Sequence, residues 1–141
     1  MVTGAVLALG GLRAALRVPV WKDDTAVTSS ILDDSPESYR GPARTAGLVQ
    51  GSGNAKRALE YYRTAVEIYD RDPRLFVGAA DAAFTLGQSG LADTLLTRTD
   101  RLCFHCVGYL RLQAAAAYSR GDHATSDSLL TWAARWARER P

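Results

Sequence analysis

The stretch AADAAFTLGQSGLADTLLTRT, residues 79–99, holds the pattern that decides the fold. Gly87 stands at its centre, with Ala80 seven residues before it and Ala92, Leu96 and Thr99 five, nine and twelve residues after it. A shift of 34 residues in either direction finds the same order again, since 87 − 53 and 121 − 87 are both 34. Around Gly53 stand Ala46, Ala58, Tyr62 and Ala65; around Gly121 stand Ala114, Ser126, Leu130 and Ala133. A small residue where two helices come closest, a glycine to turn the chain and a large apolar residue between neighbours make a helix-turn-helix unit. The spacing predicts an all-α, right-handed helix-turn-helix solenoid of about three repeats, in which each hairpin is covered by the next.

At 141 residues the chain is long enough for one modest domain and just long enough for three such units. Seventeen Lys and Arg against fifteen Asp and Glu leave a net charge of +2, with the arginines spread along the chain, so nucleic acid is not an expected partner. Two cysteines are too few for a disulfide scaffold and leave the redox compartment open.

Three segments follow from the pattern. Residues 36–141 form the repeat domain, divided at about 36–72, 73–105 and 106–141. The opening helix of the first repeat, Ser38 to Val49, carries Gly41, Pro42 and Gly47 and is the weakest of the array. Its partner, Ala55 to Asp70, places Ala58, Leu59, Tyr62, Ala65, Val66 and Tyr69 on one broad stripe. The second repeat pairs Arg74–Leu86 with Leu91–Leu102, and the third pairs Val107–Ser119 with His123–Arg138, Asp122 serving as N-cap. Trp132 and Trp136 lie four apart on the last helix, one to pack beneath the hairpin. Residues 21–35 read as half a repeat, a capping helix that Pro36 ends. Residues 1–20 begin with an uncharged run, Val2 to Leu12, of about 16 Å as a helix, roughly half of a bilayer core. With Arg13 and Arg17 snorkelling and Pro19 near an interface, it reads as the end of a transmembrane helix and membrane association; the alternative is a cap helix on a soluble, cytoplasmic protein.

The 34-residue period with its small, glycine, small, large order resembles the tetratricopeptide repeat, from about Pro36 to the C-terminus. Pro36 falls five residues after Ile31, where that family places its terminal proline; Pro73 comes eight after Ala65, which implies one extra helical turn before the second repeat. The junction is similar to that of the transmembrane and tetratricopeptide-containing O-mannosyltransferases at Trp21, Asp23, Pro36, Ser38, Tyr39 and Arg40. That likeness implies the C-terminal accessory region of a membrane glycosyltransferase whose catalytic acids lie outside this sequence, so no catalytic residue is carried over. It also implies a lumenal or periplasmic side, whereas Arg13, Arg17 and Lys22 favour a cytoplasmic one. The repeat likeness implies a protein-interaction scaffold that binds a peptide or partner protein on its concave face. By register that groove presents Arg40 and Gln50, then Arg74, Val77, Asp81 and Phe84, then Arg111, Ala115 and Tyr118. Chaperone-binding members hold a terminal carboxylate with lysine and asparagines; the corresponding positions here include Ala43, Gly47, Val77 and Asp81.

Chemistry has one candidate, the cluster Cys103, Phe104, His105, Cys106. It offers three zinc ligands where a structural site needs four, and His123 lies ~20 Å along the hairpin, so no metal is expected. Two readings remain open: buried thiols packed at a repeat junction, or a CxxC disulfide. Asp23/Asp24 and Asp33/Asp34 read as a solvated acidic face. No cofactor is implied.

Overall fold

The computed structural model describes residues 22–103 and 106–139, with 11, 12, 14, 15 and 18 before them. Among these residues there are seven helices and no strand: α1 (Asp24–Asp34), α2 (Arg40–Gly51), α3 (Ala55–Ile68), α4 (Pro73–Thr85), α5 (Ser89–Leu102), α6 (Val107–Ser119) and α7 (His123–Glu139). Polar side chains cap α1, α3 and α7. Asp23 Oδ1 accepts the Ala26 N–H at 2.7 Å, Asn54 Oδ1 that of Arg57 at 3.2 Å, and Asp122 Oδ1 that of Thr125 at 3.1 Å, each satisfying a donor the helix leaves unpaired.

Gly53, Gly87 and Gly121 have φ of 86°, 71° and 81°, a region closed to most side chains. Each turn makes the same two backbone bonds. Gly53 N–H donates to Gln50 and Asn54 N–H to Val49; Gly87 to Phe84 and Gln88 to Ala83; Gly121 to Tyr118 and Asp122 to Ala117. This is the Schellman stop, used three times in one register. It folds α2 on α3, α4 on α5 and α6 on α7, and these pairs make the broadest contacts in the molecule. Between pairs, α3 lies closely along α4, α1 rests on α2, and α6 touches α4 and α5 more lightly. The packing of successive neighbours is that of a helical solenoid.

The small residues sit where the period places them. Ala46, Ala80 and Ala114 are buried, as are Ala58, Ala92 and Ser126, and Ala65, Thr99 and Ala133. Tyr62 and Leu96, the large residues of the first two units, are also buried, while Leu130 is 47% exposed. One core gathers α2, α3 and α4 around Ala58, Tyr62 and Leu75; the next gathers α4 to α7 around Leu96, Tyr109 and Leu110, with Trp136 against it.

One detail differs from the sequence expectation. α3 stops at Ile68, with the same 14 residues as α5, so the extra turn before Pro73 is absent. Tyr69 is extended and its ring stacks on Tyr39 at 4.8 Å, and Pro73 holds Asp72 out of the helical region. In α2, Pro42 falls in the first turn, where its missing N–H would be unpaired anyway. Among the described residues no helix is long and apolar enough to cross a membrane. The readings placed on residues 1–20, membrane helix or cap, lie mostly outside the described residues, as does Trp21.

Candidate partner-binding groove

The first helix of each hairpin carries the seven candidate groove residues with polar or aromatic side chains: Arg40 and Gln50 on α2; Arg74, Asp81 and Phe84 on α4; Arg111 and Tyr118 on α6. Arg40, Arg74, Asp81, Arg111 and Tyr118 are exposed, and Gln50 and Phe84 are half-buried. Phe84 packs against the second core, so part of its ring serves packing. Tyr118 sets its ring edge-on to His123, centroids 4.7 Å apart. Gln50 donates through Nε2 to Asp81 Oδ2 and ties α2 to α4 across the face.

Arg74 is the best-fixed of the seven. Its Nε donates to Asp72 Oδ1 at 2.9 Å and a terminal nitrogen donates to Oδ2 at 2.7 Å, while its backbone N–H donates to Oδ1 at 3.0 Å. Tyr39 adds a hydroxyl at 3.5 Å from Oδ2. The carboxylate is buried, yet the Arg74 side chain is 83% exposed, so a deep anchor presents a guanidinium to solvent. The Arg74 hydrogen bonds are the largest influence on Asp72 and outweigh its burial, holding its carboxyl below the usual range. Asp72 in turn pushes the Arg74 guanidinium up.

Arg40 and Arg74 share a cavity of about 550 Å³ with Arg44, above a floor that includes Ala43, Tyr62 and Leu75. Arg44 bonds Asp24 of α1 at 2.5 Å. Burial first, then the charge of Asp81, raises the Tyr62 phenol. The structure thus joins Gln50 to Asp81 and brings Arg40 and Arg74 round one hollow; Phe84, Arg111 and Tyr118 lie on α4 and α6 away from it. Asp72 and Arg44 escaped the sequence reading, and Tyr39 entered it only as a junction residue. The signal for Asp72 was present in Asp72-Pro73, an N-cap before a proline that opens a helix.

Cys103 and Cys106 are bonded to each other in the connector between α5 and α6, Cα atoms 5.6 Å apart, each half-buried. Among the described residues no group of His, Cys, Asp or Glu could hold a metal ion. Of the acidic pairs, Asp23 caps α1, Asp24 meets Arg44 and Asp34 accepts from Ser30, which accounts for three of the four by local structure. Compared with protein-family models and with curated proteins, the chain gives no match.

Proposed function

We propose that this chain is an interaction module of the tetratricopeptide type, three repeats behind a half-repeat helix, that docks an extended segment of a partner protein along α2, α4 and α6. The observation that carries the reading is the 34-residue recurrence of one glycine turn with buried small residues on either side of it. That framework consumes one side of each opening helix and leaves the other side for recognition. The inner row is mixed in charge, with a guanidinium fixed at Arg74, so the ligand it suits is an extended peptide whose carboxylates meet the Arg40, Arg44 and Arg74 rim and whose apolar side chains enter over Ala43 and Leu75.

The test is a peptide-library screen against wild type, Arg40→Ala and Arg111→Ala, exposed positions whose loss leaves the hairpins intact. Binding peptides enriched in Asp and Glu, with affinity reduced about tenfold by either change, support the reading; unchanged binding removes these residues from the site. The membrane-anchored, glycosyltransferase-accessory alternative rests on residues 1–20 and the junction. Extraction of the native protein by high salt without detergent would remove its anchor.

A further inference from the structure

The two seams between hairpins can be compared residue by residue, because they are offset by one period. Over α4, between α3 and α5, the outer seam is a narrow apolar cleft of about 220 Å³ walled by Leu59, Val66, Ala79 and Leu91. Charged side chains border it, and one of them, Arg98, lays its guanidinium over the Phe76 ring, 5.5 Å from its centroid. Adding 34 to these four positions gives Asp93, Asp100, Gln113 and Thr125, each polar, whereas Tyr62, Phe76 and Leu95 of the same lining become Leu96, Leu110 and Leu129. There the seam stands open as two hollows of about 380 and 460 Å³ that share Tyr109, Gln113, Thr125 and Leu129.

Asp93, its side chain 57% exposed, and half-buried Asp100 stand where Leu59 and Val66 line the preceding seam, a departure from the repeating framework of the kind that accompanies another use. Asp93 and Asp100 lie seven apart and so share one face of α5. Gln113 Nε2 donates to the Tyr109 hydroxyl at 2.6 Å, and that hydroxyl faces Asp100; burial first and Asp100 second push it up to about 12. Among the described residues, the only cation lining the cleft is Arg120, at 4.0 Å from Asp93. Two carboxylates thus face one loosely placed guanidinium. At the other end the wall turns apolar with Leu110, Leu129 and Trp132, the last 52% exposed and standing where Arg98 stands one period earlier.

We propose that this outer cleft between α5 and α7 receives an arginine of a partner protein, flanked by apolar residues. Its aliphatic stem lies on Leu129 and Trp132 and its guanidinium reaches Asp93 and Asp100. The charge of the cleft selects the cation, and in the preceding seam Arg98 shows a guanidinium lying on the apolar border of such a cleft. The site is on the opposite side of the hairpins from the proposed groove and does not rest on that reading.

The probe is a short amphipathic peptide with one arginine between leucines, titrated into the full chain while the Trp132 indole N–H is followed by NMR. The arginine peptide should move that resonance, and replacing its arginine by citrulline should weaken binding about tenfold. Asp93→Asn with Asp100→Asn should do the same, and Lys56→Ala, an exposed position on α3, should leave binding unchanged. Should the double variant fail to fold, Trp132→Ala at an exposed position, its binding followed by the anisotropy of a labelled peptide, must still weaken the complex. No shift with the arginine peptide, equal binding of the citrulline peptide, or full affinity in both variants overturns the proposal.

Discussion

A Cβ placed on Gly78 would lie 2.3 Å from Cζ and 2.5 Å from the hydroxyl oxygen of Tyr62. That ring crosses from α3 to the backbone of α4, and only the missing side chain lets it through. Gly78→Ala should therefore cost about 1–3 kcal/mol, the range for overpacking a filled core. Leucine occupies the equivalent place in the next unit, at Leu96, and ends short of the ring's far edge. Gly78→Ala with Tyr62→Leu should thus be less destabilised than the sum of the two single changes in urea melts; strict additivity would show that the cost arises elsewhere. The turn glycines were legible because a backbone angle demands them wherever they occur. Gly78 was not, because the demand comes from a side chain 16 residues earlier, 78 − 62, on another helix.

At the level of helices, boundaries were readable where the chain marks them itself. α6 runs Val107–Ser119 as the spacing predicts, stopped by the Gly121 turn. The end of α3 was not readable, because Tyr69 leaves the helix to meet Tyr39, a residue 30 earlier, 69 − 39. α4 depends on its cap. Asp72 has a carboxyl held below its ordinary range, so the folded state binds that proton less readily than the unfolded chain. Its contribution is fully present above the ordinary aspartate value, about 3.9, and is lost as pH falls through the lower folded value. Asp72→Asn keeps an oxygen for the Arg74 N–H and removes the charge. It should lower stability at neutral pH by about 1–2 kcal/mol and flatten the acid limb of a stability-against-pH curve from urea unfolding; an unchanged acid limb would assign it to other carboxyls.

Across the whole molecule, stability follows neighbours. The α4–α5 hairpin is covered on both sides, by α3 and by α6, whereas α7 ends the described array with Leu130 and Trp132 uncovered. Native-state hydrogen exchange should find α4 and α5 protected longest and α1 and α7 opening first, in separate steps. A single rate for all helices would mean that the hairpins fold as one unit. The framework was legible because it repeats: a position that matters for packing matters three times, as at Ala46, Ala80 and Ala114. The surfaces were less so. Arg74 was visible in the register, but its anchor, Asp72, lies outside the repeating positions, and the polar seam at Asp93 and Asp100 gains its meaning only beside Leu59 and Val66.

Because the three glycine turns close with the same two bonds, cutting out residues 54–87 would join Gly53 to Gln88 with the bend undisturbed. A chain built this way can lengthen or shorten by one 34-residue unit with each turn kept. The reach of such a protein is then a trait that selection can adjust in whole steps.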